Sequence, residues 1–498
     1  VRKKNKKIVL EDLFISDYAA EGKALAKPDG KVIFVSGAVP GDVADVLLTK
    51  SKKDWAEGRV LKIKVLSKER VDPFCQHFGV CGGCKWQMLP YAKQLQYKQQ
   101  EVEQNLHRIG KVDLPEILPI IGGDETRYYR NKLEFTFSNK QYYPNPLPPP
   151  PPEGGALQPE ENKRINEFAE SQVPPPAGGG GGGLGFHVPR IFDKVIDIDT
   201  CYLMDEVNNR IRNTIRSFAL ENNFTFYDIR QHTGWLRNII IRLSTTSELM
   251  VNICLNYDEE ADRKKLFDHL LQQVPQITTL LYTINPKWND SIYDLTPQVY
   301  FGKGFITERL STGTGGKDFV FKISPKSFFQ TNTKQAEKLY TVTRDFAGLT
   351  GNEIVYDLYC GTGSIGIFVS RQAKKIIGVE VIEEAIADAK ENAALNNISH
   401  AEFFAGDVIK ICNDEFFALH GRPDVIITDP PRAGMHDKLV NKLLEIAAPK
   451  IVYVSCNTAT QARDLGLLSE KYRIEKIQPV DMFPHTHHIE CVVLLKLR

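Results

Sequence analysis

The sequence places a thiol and several carboxylates where strands should end. Cys456 follows the apolar run 451–455, and Glu490 opens the last such run just after Phe483-Pro484-His485-Thr486-His487-His488. Asp429 follows the run 424–428 and heads Asp429-Pro430-Pro431-Arg432, Asp407 follows 401–405, and Glu380 closes 375–380. Asp357 stands just ahead of the glycine turn Gly361-Thr362-Gly363. In open α/β sheets ligands gather outside the carboxyl ends of strands, so these groups are expected to converge on one crevice. A cysteine there is a candidate nucleophile, and a nearby carboxylate a candidate proton acceptor.

The element that must position them is residues 354–380, IVYDLYCGTGSIGIFVSRQAKKIIGVE. A short β-branched strand at 354–359, the break at Gly361 and Gly363, a helix start at 365–369 and a second strand at 375–380 make a βαβ beginning. Glycines let the backbone approach a ligand closely while the helix N-terminus faces the pocket. GTGSIG also fits the G-x-G-x-x-G of NAD sites, with Glu380 as the acid on the ribose. Asp357 favours a different nucleotide, since a carboxylate suits the ammonium of S-adenosylmethionine and repels a pyrophosphate. Asp407 is placed to read an adenine amino group. Gln330, beside Phe328 and Phe329 in SPKSFFQTN, is expected to form a lid over the adenine or the donor's carboxylate.

Two transfers fit such a crevice. Asp-Pro-Pro suits an exocyclic amine, whose hydrogens the acid accepts. Cys456 suits C5 of uracil, which is too weakly nucleophilic to attack a sulfonium unaided. A thiolate adding at C6 leaves an enolate with negative charge at C5, which then takes the methyl group. Glu490 would remove the C5 proton so that the thiol can leave. The three histidines before Glu490 fit a phosphate or carboxylate partner better than a metal.

A second cluster lies in FCQHFGVCGGCKWQ, where Cys75, Cys81 and Cys84 form C-x5-C-x2-C. Three thiolates on one glycine-rich loop call for a fourth ligand, and Cys201 in IDIDTCYLM is the candidate. Zinc and an iron–sulfur cubane both satisfy this chemistry. The other five cysteines are scattered, as core residues are.

The chain of 498 residues carries a net charge of +1, but residues 1–70 hold sixteen Lys and Arg against ten Asp and Glu. That segment is +6 and the remainder −5, which points the front end at a phosphate backbone. Five glycine-punctuated strands are expected within 6–66, suggesting a small OB-like barrel. Three domains follow: an RNA-binding barrel at 1–70, a central α/β domain at 71–325 built around the cysteine cluster, and a nucleotide-binding domain at 326–498. Arg127, Arg130 and Lys132 beside Tyr128 and Tyr129 are candidate RNA contacts. The proline and glycine runs of 144–183 read as a surface insertion carrying no chemistry. With neither a membrane-length apolar run nor a signal peptide, a cytoplasmic protein is expected. No protein partner is evident, so a monomer is expected.

CQHFGVCGGCKWQ, YRNKLEF, SPKSFFQTN, DLYCGTGSIG, DPPRAG, VSCN and HTHHIECV, in this order, resemble the RNA (uracil-5-)-methyltransferases of the RumA/RlmD and TrmA group. EGKALA and VPGDVADV resemble the TRAM domain, a barrel found on RNA-modifying enzymes. The resemblance implies a Rossmann-like methyltransferase fold, Cys456 as nucleophile and Glu490 as proton acceptor. It implies that Gln330, Tyr359, Ser364, Glu380, Asp407 and Asp429 line the S-adenosylmethionine site. It also implies that Cys75, Cys81, Cys84 and Cys201 hold a [4Fe-4S] cluster. The TRAM-like segment together with the cluster favours the 23S rRNA branch over the tRNA branch.

Overall fold

The computed structural model describes residues 8–142, 182–313 and 315–498. Most of the expected insertion, 144–181, lies outside them. Its flanks share a sheet: Gln141–Tyr142 pairs parallel to Ile191–Asp197, and Gly183–Val188 pairs antiparallel to Lys132–Ser138. The two ends are therefore held together by backbone hydrogen bonds.

The front end folds as six strands, not five, because Asp17–Ala19 adds a short edge strand. Their spatial order is Val9–Phe14, Val43–Ser51, Trp55–Val65, Val32–Ser36, Lys23–Ala26, Asp17–Ala19. Alternation drives this, since the Lys23–Ala26 strand buries Ala24 and Ala26 while its lysine reaches solvent. Buried Asp42 closes the unit, accepting from the amides of Val39 and Ser67 and pairing with Arg70 at 2.6 Å. Trp86, Met88 and Tyr97 from the following segment complete this core.

A central sheet of eight strands carries the helices Val207–Glu221 and Glu260–Gln273. The C-terminal sheet has seven strands in the order Ala401–Ala405, Lys375–Glu380, Ile354–Leu358, Val425–Thr428, Lys450–Ser455, Glu490–Leu497, Tyr472–Val480. The first five are parallel and Glu490–Leu497 runs antiparallel to its neighbour. Chain order reverses between Ile354–Leu358 and Val425–Thr428, the switch point where such sheets bind ligands. Among the described residues no helix is long and apolar enough to cross a membrane.

The helix Tyr91–Asn105 is polar overall, yet it packs on the helix Thr458–Leu468, and its Val102, with Leu106 just beyond it, joins the core of the C-terminal domain. Its Lys98 makes a fully buried ion pair with Asp481 at 2.6 Å. Tyr91 donates to the same carboxylate, and Gln94 donates to the carbonyls of Trp86 and Leu89 while accepting from the His485 amide. Breaking one partner of such a pair costs about 3–5 kcal/mol, because the other charge stays buried. The segment 481–489 that leads into Glu490 is therefore fixed from the front half of the chain.

Candidate active site

The strand Lys450–Ser455 delivers Cys456 at its carboxyl end, and Asn457 then caps the helix Thr458–Leu468 by accepting from the amides of Ala459 and Thr460. The same Asn457 donates to the carbonyl of Arg432, tying the Asp-Pro-Pro-Arg loop to the cysteine. The Arg432 side chain hydrogen-bonds the His488 ring, and its charge acts on the thiol. Cys456 is half-buried, and burial pushes its thiol up to about 11, with the Glu490 and Asp429 charges adding and Arg432 opposing. Glu490 is buried, and desolvation together with Asp429 raises its carboxyl well above the usual range, again against Arg432. Burial also raises Asp429, to about 7. Thiol, guanidinium and two carboxyls thus form one electrostatic unit.

The glycine turn lies next to it. The Asp429 amide donates to the carbonyl of Leu358, and the Asp429 charge acts on Asp357. Asp357 is 1% exposed and accepts from the Gly366 amide at 2.8 Å, so it braces the helix Ser364–Val369 from within the turn. Tyr359 takes a left-handed backbone (φ 61°), a costly conformation for a bulky residue, and its phenol feels Asp407 and Glu380. Gly361 (φ 52°) has open space where a Cβ would stand, while a Cβ on Gly363 would come within 3.1 Å of Phe403 and Ala389. Glu380 accepts from the amides of Gly361, Val381 and Ile382, and Asp407 caps the helix Val408–Ile411. Ser364 shares a hydrogen bond with the buried Tyr340 hydroxyl at 3.0 Å. Gln330 is buried, its carbonyl held by Asn131.

Two participants escaped the sequence reading. Arg432 was visible in the Asp-Pro-Pro-Arg run but had no role there. Tyr340, mid-helix in Thr333–Ala347, has no local signal, yet its phenol bonds Ser364 and feels the charges of Asp429, Asp357 and Glu490. It joins the turn to the reacting groups.

All four cysteines of the second cluster line one small cavity, with His77, Gln87 and Tyr202. Burial, with the neighbouring cysteines adding, pushes Cys81 and Cys84 up to about 12. Cys75 and Cys201 are raised chiefly by burial as well. Four mutually repelling sulfurs in one cavity suit a cationic centre. Among the described residues, however, no group of three or more His, Cys, Asp or Glu is placed to hold a metal ion. His485, His487 and His488 are instead depressed by burial to about 4, 4 and 3, so they are neutral. His485 accepts at its carbonyl from the amides of Lys85 and Trp86, directly after Cys84.

Residues 293–498 match the tRNA (Uracil-5-)-methyltransferase family, and residues 12–61 match the TRAM domain. A protein of Bacteroides thetaiotaomicron described as an uncharacterized RNA methyltransferase is 51% identical over 96% of this chain and 100% of its own length. The chain belongs to the RNA (uracil-5-)-methyltransferase family. A second such methyltransferase, from Porphyromonas gingivalis, is 47% identical over 97% of this chain and 98% of its own. Among solved structures, the tRNA (uracil-54, C5)-methyltransferase of Pyrococcus abyssi, in complex with S-adenosyl-L-homocysteine, superposes with a TM-score of 0.69. It is 26% identical and covers 98% of this methyltransferase and 100% of itself.

Proposed function

We propose that this enzyme transfers a methyl group from S-adenosylmethionine to C5 of a uridine in 23S rRNA, through a covalent bond between Cys456 and C6 of the base. The observation that carries the reading is the meeting of Cys456, Arg432, Asp429 and Glu490 at adjacent strand ends beside the glycine turn. Arg432 stabilises the thiolate that attacks C6, and the electron pair pushed onto C5 takes the donor's methyl group as its sulfonium bond breaks. Glu490 then accepts the C5 proton, the C5–C6 double bond re-forms, and the thiolate departs. In this reading Tyr359, Gly361, Gly363, Ser364, Glu380 and Asp407 line the donor site, Gln330 covers it, and Asp357 supports the turn from behind. An exocyclic-amine transfer would leave Cys456 without a task.

The same reading divides the chain into an RNA-binding TRAM barrel at 1–70, a central domain at 71–325 and a catalytic domain at 326–498, acting as a monomer in the cytoplasm. Cys75, Cys81, Cys84 and Cys201 would hold a [4Fe-4S] cluster that staples the loop before Trp86 to the loop before Tyr202. Iron and acid-labile sulfide should co-purify with the native protein under anaerobic conditions and be lost in Cys201→Ser. Zinc in their place would refute the cluster without touching methyl transfer.

A tRNA substrate is the second reading, favoured by the likeness to the Pyrococcus enzyme over nearly the whole chain. Mass mapping of 5-methyluridine in cells lacking the gene separates the two. Loss of the modification from 23S rRNA is expected, and its loss from tRNA with rRNA unchanged would overturn the rRNA assignment.

A further inference from the structure

We propose that Trp288 is a stacking platform for an unpaired base of the substrate RNA, held outward by the loop that joins Thr279–Ile284 to Gln298–Phe301. The inference rests on the RNA-methyltransferase reading and adds a contact outside the reacting centre.

Trp288 is 75% exposed, yet its ring is not loose. One face stacks on His232 with centroids 4.7 Å apart and planes 4° from parallel. His232 is itself fixed, since its Nδ1 meets the Tyr227 hydroxyl at 3.0 Å. Beneath the loop lies Arg237, only 1% exposed, with its guanidinium 4.0 Å from the Tyr227 ring centroid. Its Nη atoms donate to the carbonyls of Asn285, Lys287 and Asn289 and to the Asp290 carboxylate. A buried cation thus gathers three successive odd-numbered residues of one short loop and shapes its turn around Trp288.

Such an arrangement costs ordering and desolvation, and hydrophobic burial of the indole does not compensate, because the ring stays in water. A flat, pre-ordered aromatic face open on one side is what an unpaired base stacks on. The loop also leads toward the reaction. Lys326 donates to the Tyr293 carbonyl at 2.8 Å, and the carbonyl of neighbouring Phe328 takes the Thr362 hydroxyl within the glycine turn. Tyr293 and Phe328, at either end of this chain of bonds, are themselves exposed aromatic side chains.

The test measures binding of a fluorescein-labelled, unstructured single-stranded RNA to the full-length protein and its variants. Trp288→Ala is expected to weaken binding by about tenfold, the loss of one stacked base. The slope of affinity against salt should stay unchanged, because no phosphate contact is removed. Trp288→Phe, which keeps a ring, should retain most of the affinity, and calorimetric binding of S-adenosylmethionine should be the same in all three proteins. RNA affinity unchanged in Trp288→Ala would overturn the platform while leaving the enzyme reading intact. A native protein that binds S-adenosylmethionine but no RNA would overturn both. A self-association lost in Trp288→Ala, with RNA binding unaffected, would assign the face to a second copy and overturn the proposal.

Discussion

Cys456→Ala is expected to lose RNA methylation by more than about four orders of magnitude, since removal of a covalent nucleophile leaves only binding and orientation. The loss should appear in kcat, with S-adenosylmethionine affinity and thermal stability near native. The side chain is half-buried at a strand end, so alanine leaves no large internal cavity. Residual activity above that level would favour the exocyclic-amine chemistry of Asp429. Measured single-turnover rates at saturating donor and RNA settle the matter. The pH dependence has a definite sign. The thiol lies at about 11 in the free protein, so pre-steady-state attack should accelerate as pH rises from neutrality. Neutralising Arg432 should displace that profile to higher pH.

Glu490→Gln should separate the two halves of the reaction. Attack at C6 and methyl transfer do not need the carboxylate, whereas release of the adduct does, so turnover falls by about 10²–10⁴-fold while a protein–RNA complex accumulates. Denaturing electrophoresis after incubation with RNA and methyl donor reads this directly. Glutamine preserves the shape of a buried site and removes its titration, which burial and then the Asp429 charge push upward in the native protein. A variant equally slow but free of covalent RNA would remove Glu490 from the role of base.

How much of this is legible without coordinates depends on the range of the contacts. The parallel strands and their acids are local patterns: four to six apolar residues, then Glu380, Asp407, Asp429 or Cys456. The sheet positions them by register alone. The turn is equally local, because Gly361 and Gly363 stand at left-handed backbone positions. Asp357 shows the limit of such reading. Its place ahead of the turn suggests a ligand contact, but the side chain is buried and bonded to Gly366, nine residues on. Long-range packing is silent in sequence. Gln94 and His485 bond across 391 positions, and nothing near either residue announces the other. The polar helix Tyr91–Asn105 hides its function for the same reason, because its buried Lys98 is neutralised by Asp481 from the far end of the chain. The sixth front-end strand, only three residues long, is below what alternation can signal.

The central claim is the bond between Cys456 and C6, and RNA carrying 5-fluorouridine tests it most directly. Fluorine at C5 cannot leave as a proton does, so the methylated adduct has no exit. Native protein incubated with this RNA and S-adenosylmethionine should give a stable complex whose mass equals protein, RNA and one methyl group. After digestion the nucleotide should map to Cys456. Absence of any complex under conditions that methylate ordinary RNA, or a nucleotide attached at another residue, would contradict the account.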